Sequence, residues 1–328
     1  MITSSKNQYR CPAFRGASVV ALALAALMLS HPAVAADSAD EEASGMPEYT
    51  RTGADTCLKC HDGSSGFPVL EIFKSPHGRA ADSRTPFGGL QCEACHGPGG
   101  DHTARIRGDA VRPAMPYFAP ASPASVAEHN GVCLGCHQQA AGAGWPGSAH
   151  EQTDTACANC HKVHVRRDPA LQIATQTDVC LTCHKGVQAS LFKASSHPLR
   201  QGEMACGSCH SPHGSLGDHL LKKVDTNQTC FDCHAEKRGP HLWEHAPAAE
   251  DCGLCHNPHG SNHPAMLTQR STQLCQQCHA RVGHTSVAYT PEGLPDHGAS
   301  AALLARGCVN CHTQVHGSNH PSGANLTR

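Results

Sequence analysis

The chain has 328 residues, with 25 Lys and Arg against 27 Asp and Glu, a near-neutral balance that argues against a nucleic-acid partner. Phe, Tyr and Trp total 13 while Gly and Pro total 53, too little apolar side chain for its length to build a large core alone. What the sequence has in excess is cysteine, 21, and histidine, 27.

Taken in order, residues 1–36 read as a secretory signal peptide. Lys6, Arg10 and Arg15 precede an apolar run from Val19 to Leu29, followed by small residues at Ala33, Ala35 and Ala36. The run is short for a bilayer span, and cleavage is expected after Ala35 or Ala36. Cys11 lies ahead of the apolar run, where it is removed with the signal. Without the three signal cations the mature chain keeps 22 basic against 27 acidic residues, a charge of -5. Residues 37–50, with Asp37, Asp40, Glu41 and Glu42, form a flexible acidic leader.

The other twenty cysteines form ten C-x-x-C pairs, each followed at once by histidine. They are Cys57 and Cys60 before His61, Cys92 and Cys95 before His96, Cys133 and Cys136 before His137, Cys157 and Cys160 before His161, and Cys180 and Cys183 before His184. The series continues with Cys206 and Cys209 before His210, Cys230 and Cys233 before His234, Cys252 and Cys255 before His256, Cys275 and Cys278 before His279, and Cys308 and Cys311 before His312. C-x-x-C-H is the attachment signature of haem c. Two thiols add across the vinyl groups on one edge of the porphyrin, and the adjacent histidine reaches the iron from one face. Structural zinc also uses C-x-x-C pairs, but at roughly one histidine in twelve residues, ten pairs would show about one trailing histidine by chance. Ten covalent haem c groups are therefore expected. Two propionates per haem, offset by the ferric porphyrin, add about one negative charge each, which favours partners with basic docking patches.

Around these motifs runs a repeat: a histidine, a C-x-x-C-H motif, a second histidine, and another motif. Its copies supply ten further histidines as second axial ligands: His77, His102, His150, His164, His197, His213, His245, His259, His297 and His316. His102 is displaced relative to the other copies. His263 and His320, each in an HGSNHP word, stand as alternatives to His259 and His316. His129, His219, His241 and His284 fall outside the repeat. Met is the rival ligand, but Met46, Met115, Met204 and Met266 hold no repeated position.

The fold class expected is a multihaem cytochrome c, mostly irregular with short α-helices and little or no β-structure, an extended haem chain with a core built from cofactor. Pro, Gly and Asn between motifs leave room only for short elements, such as a helix within 264–278. Residues 185–196 separate five motifs from five, suggesting an N-terminal pentahaem lobe, 51–190, and a C-terminal one, 191–328. About 29 mature residues serve each haem, so the macrocycles must lie close together. Histidine on both sides of every iron leaves no open position for substrate, which points to electron transfer rather than catalysis.

The ten motifs, the SPHG words, the CHGPGG segment at His96 and the stretch EHAPAAEDCGLCHNPHGSNH resemble the periplasmic decahaem cytochromes of the MtrA/DmsE type across the mature chain. That resemblance implies bis-histidine haems lodged partly in an outer-membrane β-barrel porin. It also implies electron exchange between periplasmic or inner-membrane carriers and an extracellular cytochrome, reductase or mineral. The competing readings are a soluble periplasmic electron store and a multihaem reductase of a small nitrogen or sulfur oxyanion, which needs a five-coordinate haem.

Overall fold

The computed structural model describes residues 48–139, 144–279 and 307–328. The signal peptide, most of the acidic leader, His284 and His297 lie outside them.

Among the described residues there is no β-strand, only isolated bridges such as His210 with Leu221 and His256 with Leu267. Helices are short: α1, Val126–Leu134; α2, Ile173–Leu181; α3, Lys185–Leu191; α4, Thr226–Phe231; and α5, Ser271–Gln276. Their starts are set by local chemistry. Ser125 and Glu128 form a reciprocal capping box at α1, and the Asp225 side chain accepts from Gln228 N at 2.7 Å to open α4. Four of the five carry the first cysteine of a motif in their last turn: Cys133 in α1, Cys180 in α2, Cys230 in α4 and Cys275 in α5. The intervening motifs stand on single turns, as at Cys157–Cys160, Cys206–Ser208, Cys252–Leu254 and Cys308–Asn310. Two kinds of attachment site therefore alternate along the chain.

The stretch 264–278 is helical only in part. Pro264–Met266 is a bent single turn, with Ala265 at φ 53°, and the helix begins at Ser271. The suggested lobe boundary falls at the end of α3, where Leu191 is 1% exposed. A contact runs past it: His150 Nδ1 donates to the Pro212 carbonyl at 2.8 Å.

Of the large apolar side chains described, only Ile72, Phe87, Trp145, Leu181 and Leu191 are buried, whereas Leu171, Leu216 and Val224 stand in the open. Polar bridges do much of the positioning. Asn227, 6% exposed, donates to the Ala248 and Ala249 carbonyls and accepts from Cys252 N at 2.6 Å. Asn130 holds Cys157 N at 2.8 Å and the Thr155 carbonyl in the same way. Gln176 holds Gly207 N, and Gln91 holds Ala54 N, each at 2.6 Å. Each amide ties one motif to the next. Glu93, buried, accepts from Thr50 N, Thr50 Oγ1 and Gly99 N at 3.0, 2.8 and 2.7 Å.

Candidate haem-binding site

None of the described cysteines is joined in a disulfide. Their neighbours follow chain order. The first cysteines of successive motifs meet in the pairs Cys57 and Cys92, Cys133 and Cys157, Cys180 and Cys206, Cys230 and Cys252, and Cys275 and Cys308. The second cysteines interact across the alternate gaps: Cys95 with Cys136, Cys160 with Cys183, Cys209 with Cys233, and Cys255 with Cys278. Every motif between the first and the last thus faces the one before it through one thiol and the one after it through the other. Within two of these half-buried pairs the Cys157 and Cys206 thiols are drawn down by hydrogen bonds from Cys133 and Cys180, whose own thiols are pushed up.

The histidines pair across the chain. His61 faces His102, with ring centres 6.3 Å apart; His77 faces His137 at 6.0 Å, and His96 faces His164 at 6.4 Å. His150 faces His184 at 6.2 Å, His161 faces His213 at 5.9 Å, and His197 faces His234 at 6.4 Å. His210 faces His259 and His245 faces His279, both at 6.0 Å, and His256 faces His316 at 6.2 Å. In each case a C-x-x-C-H histidine meets one histidine of the repeat. His297, the expected partner of His312, lies outside the described residues.

These separations are wide for direct stacking of near-parallel rings. They match two imidazoles on opposite sides of one metal, where two bonds of about 2 Å and about 1.1 Å from nitrogen to each ring centre add to about 6 Å. The hydrogen bonds agree. His96, His102, His150, His197, His210, His245, His256 and His312 use Nδ1 on backbone carbonyls at 2.6 to 3.0 Å, and His164 uses it on the Val69 carbonyl at 3.2 Å. That leaves Nε2 as the metal-facing nitrogen. Burial, first among the causes, lowers the pKa of His77, His164, His213, His259 and His316, favouring the neutral ring that a metal binds. No group of three or more His, Cys, Asp or Glu converges among the described residues, as a zinc centre made by protein alone requires.

Histidines outside the repeat do other work. His219 and Ala265 adopt left-handed backbone, φ 54° and 53°, which aims their carbonyls at Nδ1 of His210 and His256. His129 bonds Ser122 Oγ at 2.9 Å, and the His320 ring accepts from Ser322 N and pairs with its hydroxyl. His263 enters none of the ring pairs; its N–H bonds Ser261 Oγ at 3.0 Å.

Three near-identical clamps hold repeat histidines together. His150, His197 and His245 donate to the carbonyls of Pro212, Pro258 and Val315, each the residue just before a repeat histidine further along the chain, His213, His259 or His316. The glycine after that histidine takes φ 116° at Gly214, 130° at Gly260 and 128° at Gly317. A Cβ there would run into the Gly144 carbonyl, the Ser190 carbonyl or the His241 ring.

Paired thiols beside paired imidazoles, repeated along the chain with adjoining motifs in contact, are the frame of a multihaem c-type cytochrome. Such a protein binds haem c and is an electron carrier, not an enzyme. Over 98% of its length the chain is 46% identical to the multiheme cytochrome MtrA of Shewanella baltica (strain OS185), the whole of which is covered, and it belongs to that family. The doubled CXXCH motif family matches residues 197–239 and 245–284, the NrfB-like cytochrome c-type family residues 92–176, and the cytochrome c554 and c-prime family residues 25–97. The cytochrome c-type protein NrfB of Haemophilus influenzae is 30% identical over 39% of this chain and 63% of its own.

Proposed function

We propose that this chain carries ten haems, each iron held by its C-x-x-C-H histidine and one histidine of the repeat. We further propose that it conducts electrons from the periplasm through an outer-membrane β-barrel porin, in extracellular electron transfer. The observation that carries the reading is the set of nine ring pairs near 6 Å, each joining one motif histidine to one repeat histidine.

Bound haem supplies a one-electron ferric/ferrous couple. The chain's part is to fix it. Two cysteines would tether each haem and two neutral histidines would hold its iron, an arrangement that would leave no place for substrate and set the potential below that of a Met/His site. Contact between successive motifs through alternating thiols keeps each edge beside the next, which favours hopping along the sequence order. Membrane passage falls to the partner: no described helix is long and apolar enough to cross a bilayer. The porin, the periplasmic setting and cleavage of residues 1–36 rest on the signal-like N-terminus and on kinship with MtrA.

Two experiments test this. Replacing His213 with Met should keep the haem attached while raising one potential and altering one low-spin signature, whereas His219→Asn, in a position that tolerates left-handed backbone, should leave every haem six-coordinate. An unchanged haem set in the His213 variant overturns the ligand assignment. Co-purification with a barrel partner, followed by electron transfer into a sealed vesicle, tests the porin role; a protein that charges in solution but passes no electrons across the membrane is a store.

A further inference from the structure

One proximal histidine has a different kind of partner. His161 Nδ1 donates to the Asp168 carboxylate, Oδ2, at 2.5 Å, whereas His96, His210, His256 and His312 donate to backbone carbonyls of Pro116, His219, Ala265 and Asn325. Among the described residues, the other carboxylate paired with a proximal ring, Glu236 at His234, stands 3.8 Å away and both side chains are exposed. Asp168 is fixed and shielded. Its second oxygen accepts from Lys162 N and Ala170 N at 3.2 and 3.1 Å, capping the turn Pro169–Leu171, and its side chain is only 12% exposed. The Lys162 ammonium turns away to the Ala158 carbonyl.

We infer that Asp168 is a positioning residue that lowers the reduction potential of the one haem attached at Cys157 and Cys160. A carboxylate draws the Nδ1 proton further than a carbonyl does, gives the ring imidazolate character and makes it a stronger donor to iron. The ferric state gains more from such a donor than the ferrous state. On reduction the iron takes one electron from a neighbouring haem, and the shared proton stays between Nδ1 and Oδ2. The Cys157 motif lies between those at Cys133 and Cys180, so its haem forms a rise inside the electron path: it stays oxidised at potentials where its neighbours fill. This rests on the proposed pairing of His161 with His213.

The experiment uses the full haem-loaded protein. His213→Met marks this haem by Met ligation, and its potential is then followed with and without Asp168→Asn. The asparagine should raise the ferrous-to-ferric ratio of the marked haem roughly tenfold at fixed potential, about 59 mV for a one-electron couple, while the other haems stay in place. Asp168→Glu should restore part of the loss. Asp178→Asn, which removes one exposed carboxylate from α2, should leave the marked haem unmoved. Should the asparagine variant load poorly, Asp168→Ser carries the same test with a hydroxyl still able to cap Ala170. An unmoved marked haem, or an equal shift from Asp178→Asn, overturns the role of Asp168. Failure of His213→Met to produce a Met-ligated haem overturns the pairing beneath it.

Discussion

The segments bearing the repeat histidines meet in two ways. At Pro212-His213-Gly214, Pro258-His259-Gly260 and Val315-His316-Gly317 the earlier histidine donates to the later segment. Nearer the N-terminus, at Val163-His164-Val165, the direction reverses: His164 donates to the Val69 carbonyl, ahead of His77. Ring orientation changes with it. His213, His259 and His316 lie within 20°, 21° and 14° of coplanarity with their partners, whereas His164 is turned by 53° from His96. Glycine at positive φ allows backbone to close on its neighbour in the three clamps, a conformation that the branched Val165 disfavours.

The largest effect should come from Gly260→Val. Forcing a branched residue into that backbone costs roughly 1–3 kcal/mol, and the collision with the Ser190 carbonyl adds to it. A lower melting temperature and a loss of low-spin character at one or two haems are expected. The reverse change, Val165→Gly, should cost no more than about 0.5–1 kcal/mol; equal damage from both would erase the distinction between the two arrangements.

An intermediate effect is expected from the amide bridges. Asn227→Ala removes a buried side chain and its three hydrogen bonds, to Cys252, Ala248 and Ala249, and should cost about 1–3 kcal/mol in guanidinium unfolding of the haem-loaded protein. Asn130→Ala, with partners only at Cys157 and Thr155, should cost no more than that. A larger loss at Asn130 would place the firmer join on the N-terminal side.

The smallest perturbation is none at all, since the native protein suffices. Near-parallel imidazoles split the iron dπ orbitals, and strongly crossed ones leave two of them nearly degenerate. Low-temperature EPR of the oxidised protein should therefore show rhombic signals from the near-parallel sites, such as His256/His316 at 14°, and large-g signals from crossed ones, such as His150/His184 at 83°. A spectrum of one class only would contradict the ring angles.

The attachment motifs stand out in the sequence because covalent chemistry fixes their spacing, and His213 and His259 because near-identical words put them at one offset. Even the displaced His102 meets a motif histidine, His61. Which histidine meets which motif was not legible, because partners such as His96 and His164 are distant in sequence and skip the two motifs between them. Asn130 and Asn227 left a faint trace, each three residues before the first cysteine of a motif. Asp168 left none: a carboxylate seven residues past His161 gains meaning only when a turn folds it back onto the ring. The carbonyls of His219 and Ala265 were equally invisible, since ordinary residues there adopt a backbone conformation their types do not favour.

The interleaving of histidines also bears on how the protein is made. With the pairs proposed above, His77, His150, His197 and His245 precede the motifs at His137, His184, His234 and His279. In a chain delivered N-terminus first, those sites find both ligands as soon as their own motif emerges. The sites at His96, His161, His210 and His256 must wait for His164, His213, His259 and His316, which arrive with later repeats. Maturation then runs like a zip, each repeat closing the site behind it while opening one that only the next can close.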